Sequence, residues 1–224
     1  MIRLKCSGSG LAIAMVASLL GVAAPVAWAG QPDAADRGPK AEKPERSADK
    51  KKAIAKTPCE DREFARVFKP WHDRALYTLA PGGDFETVAE GWTLDGAAAL
   101  AADSSPFQLG SALGASSLEL PAGATALSPP ICVERGFPTF RFVARSVSVE
   151  RAVVKVKVVF ADGRHKATGR VKPAADWAPT RKLSLAQGRF KIRRGHSAQV
   201  QLRFAVTSGT ARLDDVYIDP RIWR

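Results

Sequence analysis

An antiparallel β-sandwich is predicted for most of this 224-residue chain by three observations. Apolar residues recur at every second position in several runs, Gly- and Pro-rich turns separate those runs, and long amphipathic helices are absent. The most regular run alternates Val154, Val156, Val158 and Phe160 with Val153, Lys155, Lys157 and Val159, and Asp162-Gly163 then supplies turn chemistry. Phe140, Phe142 and Ala144 alternate in the same way with Arg141, Val143 and Arg145. Near the end, Val200, Leu202, Phe204 and Val206 alternate with Gln199, Gln201, Arg203 and Ala205, and Leu213 to Ile218 adds a further strand. Shorter strands are expected at Trp92–Leu94, Ser117–Leu120, Ile131–Val133 and Arg181–Leu185. One departure comes first in the chain: Phe64, Val67 and Phe68 are spaced as one face of a short helix over Glu60–Phe68.

Ahead of the sandwich the composition changes twice. Residues 1–29 read as a secretory leader, with Arg3 and Lys5 before an apolar stretch from Leu11 to Val26 and the small-residue cleavage motif Ala27-Trp28-Ala29. An uncleaved anchor is the competing reading of so long an apolar run, and Pro25 with the small residues around it favours cleavage. Residues 30–57 hold no aromatic and one large aliphatic, Ile54, among eight basic and five acidic residues. Such a segment buries too little apolar surface to offset chain entropy and is expected to be a disordered charged linker. Residues 58–80 are then an arm packed on the domain, and residues 81–224 the sandwich itself. With 46% apolar residues the chain is not wholly disordered, and with a single long apolar stretch it is not a polytopic membrane protein.

Export has a consequence for the cysteines. Cys6 leaves with the leader, and Cys59 and Cys132 remain. Two cysteines in an exported chain most simply form one disulfide; buried free thiols or a zinc site are the alternatives, and no paired Cys or His spacing supports the metal.

Two segments carry a resemblance. Ala80-Pro81-Gly82-Gly83-Asp84-Phe85-Glu86, followed by Gly91-Trp92-Thr93-Leu94, resembles the entrance of galactose-binding-domain-like jelly rolls, among them many secreted carbohydrate-binding modules. Leu213-Asp214-Asp215-Val216-Tyr217-Ile218 resembles their final strand. More narrowly, the chain is similar to a group of secreted bacterial proteins of unknown function that share these segments and Ser128-Pro129-Pro130 before a cysteine. The resemblance implies a jelly-roll sandwich with Phe85 and Trp92 as core anchors and a carbohydrate ligand. It also implies a structural calcium ion at Glu86 and Asp215, the matching positions. The family's Asn is replaced here, and the chain contains no Asn at all. Without calcium, Glu86 would pair with a nearby cation while Asp214 and Asp215 cap a strand end.

Catalytic chemistry finds little support. His72, His165 and His196 lack metal-ligand spacing, and neither a nucleophile elbow, a P-loop nor a zincin motif occurs. Adjacent Asp214 and Asp215 on a regular strand would face opposite sides and could not act on one bond. No enzyme activity and no required cofactor are therefore expected. The formal charge of +12 points elsewhere. With the apolar set of each strand inward, Arg141, Arg145, Lys155, Lys157 and Arg203 fall outward, with Lys191, Arg193 and Arg194 as extensions, and would form a positive sheet face. Outward cations also simply keep sheets soluble and discourage edge pairing. Trp177 is either an exposed platform for a sugar ring or a rim anchor of the core, and Trp71 and Trp223, near the two ends of the domain, are a candidate pair to seal the sandwich, which spacing alone does not establish. The partner expected is a glycan or an anionic cell-envelope polymer, for a secreted or envelope-associated module. No nucleic acid is expected, and no membrane once the leader is removed. A structural envelope protein that binds another protein is the rival reading, and a hydrolase with a hidden constellation the third.

Overall fold

The computed structural model describes residues 54–55, 59, 62–87, 91–110, 112–185, 192 and 196–219. The expected leader and nearly all of the expected linker lie outside them, as do Lys191, Arg193, Arg194 and Trp223. Fourteen strands occur among the described residues. The first seven are β1 (Ile54–Ala55), β2 (Thr78–Leu79), β3 (Thr93–Asp95), β4 (Ala99–Ala101), β5 (Ser117–Pro121), β6 (Thr125–Leu127) and β7 (Ile131–Glu134). The rest are β8 (Thr139–Ser146), β9 (Val154–Phe160), β10 (His165–Val171), β11 (Ala178–Pro179), β12 (Leu183–Ser184), β13 (Ser197–Val206) and β14 (Thr210–Asp219).

They form two sheets, antiparallel in every pairing. The first runs β10-β9-β13-β6-β3, with β1 and β7 also on β13; the second runs β11-β8-β14-β5-β4, with β12 on β8 and β2 on β14. From β5 onward the chain passes repeatedly between layers, β8 in the second, β9 and β10 in the first, β11 and β12 back in the second, then β13 and β14 in opposite sheets. That repeated crossing makes the sandwich the expected all-β jelly roll.

The alternation read from the sequence decides which face is buried. Val154, Val156, Val158, Leu202, Phe204, Phe140, Phe142, Leu118 and Leu213 are all buried in one cluster between the sheets. A chain of rings crosses it, Phe85 to Trp92 at 5.0 Å, Trp92 to Phe204 at 5.9 Å and Phe204 to Phe142 at 5.2 Å between centroids. Full burial of a Phe contributes about 2–3 kcal/mol. Phe85 and Trp92 are thus core anchors as expected, although Phe85 itself holds φ 56°. Gly83 sits where the entrance turn pairs with Val216, and a Cβ there would stand 2.9 Å from the Val216 carbonyl oxygen.

The helix expected over Glu60–Phe68 is not formed where the chain is described. Ala65 and Tyr77 instead exchange backbone hydrogen bonds of 2.9 and 2.8 Å, and a 3-10 turn follows at Lys69–Trp71, with Pro70 inside it. The aromatic spacing serves another purpose, since Phe68 is buried while Phe64 is exposed. Phe68 and Tyr77 join Leu109, Val143 and Tyr217 in a second apolar cluster, bordered by Val67, Trp71, Phe107 and Trp177. The arm therefore lies over the outer face of the second sheet.

The disulfide joins Cys59 to Cys132, with 5.8 Å between their Cα atoms. Beside it, the Cys59 N–H donates to Glu134 at 2.8 Å and Arg62 donates to the Cys132 carbonyl at 3.0 Å. Ile54–Ala55, at the end of the segment expected to be a disordered linker, instead form β1 on β13, and with β2 on β14 this stretch and the arm strap one sheet to the other.

Candidate functional site

Lys155, Lys157 and Arg203 share the outer face of the first sheet. Arg203 on β13 is the cross-strand partner of Lys157 on β9, and Lys155 is the partner of Arg170 on β10. Their inward neighbours are buried valines, Leu202 and Phe204, which turns the cations toward solvent. Residues directly opposite on antiparallel strands stand about 4.5–5.5 Å apart at Cβ, and alternate residues along a strand about 7 Å apart. The face therefore carries two like-charge rungs side by side, Lys157 with Arg203 and Lys155 with Arg170. None of the four has a carboxylate partner among the described residues. Arg170 was not singled out in the sequence; it belongs to β10, which His165 opens. Its weak pattern of Ala, Thr and Gly between cations gives little periodic signal.

Arg141 and Arg145 do not join that face. They point out of the second sheet, Arg141 under the arm and Arg145 against Asp103 and Trp177. Arg141 donates to Asp73 Oδ2 at 2.9 Å and to the Thr180 carbonyl at 2.8 Å, and its guanidinium lies 4.5 Å from the Phe68 ring centroid. Arg145 donates to Asp103 Oδ2 at 2.6 Å, which also accepts from Arg212 at 2.6 Å. The guanidinium of Arg145 also lies 5.2 Å from the centroid of Trp177. That contact makes half-buried Trp177 a rim anchor of the second cluster rather than an open sugar platform. Trp71 packs edge-on against Phe107, at 4.8 Å.

Asp73 and Asp103, which neutralise these arginines, were not singled out in the sequence because loop residues carry no periodicity. Burial works against ionising Asp73, yet hydrogen bonds from Tyr77 and the Ala75 N–H, with the Lys182 ammonium 3.1 Å away, outweigh it and hold its carboxyl below the ordinary value. Burial and the bond to Asp73 push the Tyr77 phenol up.

The acidic pair on β14 corrects the alternation argument. Register slips between Asp214 and Tyr217, and Asp215 takes φ 52°, so a bulge turns both carboxylates to the Ser104–Ser105 loop. Asp214 Oδ2 accepts from Ser104 Oγ at 3.1 Å and from the Ser105 N–H at 2.8 Å, and Asp215 Oδ2 accepts from Ser105 Oγ at 2.7 Å. Burial, with the Asp215 charge beside it, pushes the Asp214 carboxyl up to about 7. Burial likewise raises Asp215 to about 6, and the charges of Asp84 and Glu86 add to the effect.

Hard oxygens of this kind suit calcium in chemistry, but not in arrangement. Both carboxylate oxygens of Glu86 accept backbone N–H groups, from Ala115 and Ser116 at 2.9 Å. Among the described residues no group of three or more His, Cys, Asp or Glu is gathered to hold a metal. Glu86 is thus a clamp on the 115–116 backbone, and Glu86 with Asp215 does not form the calcium cage that the resemblance implies.

No protein-family model matches the chain, and no curated protein matches it. Solved structures similar to it include TmCBM61 in complex with β-1,4-galactotriose, at 15% identity and TM-score 0.39, over 62% of this chain and 96% of that one. The CBM22-1 xylan-binding domain of Paenibacillus barcinonensis Xyn10C is similar at 13% identity and TM-score 0.43, over 72% and 96%. The C-terminal CBM6 of LamC from Zobellia galactanivorans is similar at 12% identity and TM-score 0.36, over 47% and 81%. These likenesses concern strand arrangement, and the sandwich stands on the pairings described above.

Proposed function

We propose that this protein is an exported binding module without catalysis, whose ligand is an acidic glycan or phosphate-bearing polymer of the cell envelope laid across the outer face of the first sheet. One observation carries the reading: two adjacent like-charge rungs, Lys157/Arg203 and Lys155/Arg170, have no carboxylate partner among the described residues. Like charges directly opposite on neighbouring strands repel, and an anion between them removes that cost. The outer arginines of the second sheet are neutralised internally by contrast, so the basicity of the first sheet is not a general property of outward positions here. A disulfide agrees with an oxidising compartment, and the leader pattern supports export.

Retention on fractionated envelope polymers across a salt series tests the proposal. Binding is expected to fall steeply from low to physiological ionic strength, and Lys155→Glu with Lys157→Glu to weaken it by at least about tenfold at low salt. Binding needs no metal, so calcium and chelator are expected to give equal retention. Salt-insensitive binding competed by neutral sugars would transfer the ligand class to uncharged glycan. A discrete protein partner with no polymer binding would favour the structural rival.

A further inference from the structure

A cavity of about 310 Å³ opens at the lateral rim of the sandwich, where the end of β10 in one sheet faces β11 in the other. Arg170, Lys172 and Arg181 line it together with alanines, Pro173 and Pro179, and no acidic residue lines it among the described residues. All three cations are exposed and none has an ion-pair partner among the described residues. The β10 bulge positions one of them: Gly169 has φ 151°, and a Cβ there would stand 2.8 Å from Arg181 Nη2, so the guanidinium lies across bare backbone. Arg170 belongs both to this cavity and to the rung with Lys155, which makes the rim continuous with the basic face.

We infer that this cavity is a subsite for a single anionic sugar residue, whose carboxylate or phosphate is held by Arg170, Lys172 and Arg181 while the ring rests on the proline and alanine wall. The volume is that of a small-ligand pocket, and guanidinium groups bind carboxylate and phosphate bidentately. The inference rests on the reading of the sheet face as a polyanion surface and adds where the polymer's charged unit is read.

Amide chemical shifts of the purified protein, titrated with glucuronate, glucose 6-phosphate and glucose, test it. Either anion is expected to move residues 170–174 and 178–181 while glucose moves none, and the tighter anion identifies carboxylate or phosphate as the recognised group. Arg181→Ala with Lys172→Ala is expected to weaken monosaccharide binding at least about tenfold with the melting temperature kept, and Lys157→Glu with Arg203→Glu, which leave the Lys155/Arg170 rung intact, to spare it while polymer retention drops. No shift with either anion, or unchanged affinity in the Arg181/Lys172 variant, overturns the subsite even where polymer retention stays salt-dependent. Loss of that salt dependence overturns the surface reading and the subsite with it.

Discussion

The guanidinium of Arg141 meets the Asp73 carboxylate at 2.9 Å and the Phe68 ring at 4.5 Å, with both charged side chains only 11% exposed. Lys157 occupies a comparable outward position on β9, opposite Arg203 instead of a carboxylate. Alternation places both side chains outside the sandwich, and nothing in the alternation distinguishes them. The difference comes from what the arm covers, a contact between residues 68 positions apart. Removing Arg141 takes a charged hydrogen bond from Asp73, which keeps Tyr77, the Ala75 N–H and Lys182, so Arg141→Ala is expected to cost about 1.5–3 kcal/mol in urea unfolding. Lys157→Ala relieves a like-charge rung and is expected to stay within about 0.5 kcal/mol of the parent, on the stabilising side. Equal losses in the two variants would contradict the division between a structural and a ligand-facing cation.

At the scale of elements, the long strands were legible and the irregular ones were not. β8, β9, β13 and β14 follow period-two patterning because each buries one face completely, whereas β2, β11 and β12 are two residues long and show no period. β14 illustrates the limit within a legible strand, since its bulge at Asp214–Tyr217 is invisible to a rule that assumes regular alternation. That bulge has a measurable consequence. Carboxyls raised to about 7 and 6 in the folded state, against an ordinary 3.8, hold protons that the unfolded chain releases. Their contribution is complete below the ordinary value and is lost as pH rises through about 6 to 7. The melting temperature is therefore expected to drop by several degrees between pH 5 and pH 8, and Asp214→Asn to flatten that slope. Asp73 acts in the opposite sense and in another window: its lowered carboxyl stabilises above the ordinary value and loses its effect only as pH falls through its own, lower one. A melting temperature that rose from pH 5 to pH 8 would contradict the assigned burial of the β14 pair.

Taken whole, the sandwich has two outer faces of different character, and the arm covers one of them. One sheet's exterior is roofed by Phe68, Trp71 and Tyr77, while the other's presents its cations to solvent. The pairing of Cys59 with Cys132 was readable from the cysteine count and the expectation of export, but the path between the sheets required the three-dimensional pairings of β1 and β2. With a sequence separation of 73, the closed loop restrains the unfolded chain, and reduction is expected to cost about 4 kcal/mol. Amide exchange should then quicken first over residues 62–79, where the strap loses its anchor. Under the proposed function, the cationic face is expected to keep its affinity below the lowered melting temperature. Cys132 is the cross-strand partner of Gln199, four positions along β13 from Arg203 or roughly 13 Å, and the cationic rungs are held by β9 and β10. Polymer retention lost together with the disulfide, in protein still folded by circular dichroism, would move the ligand from the open face to the strap.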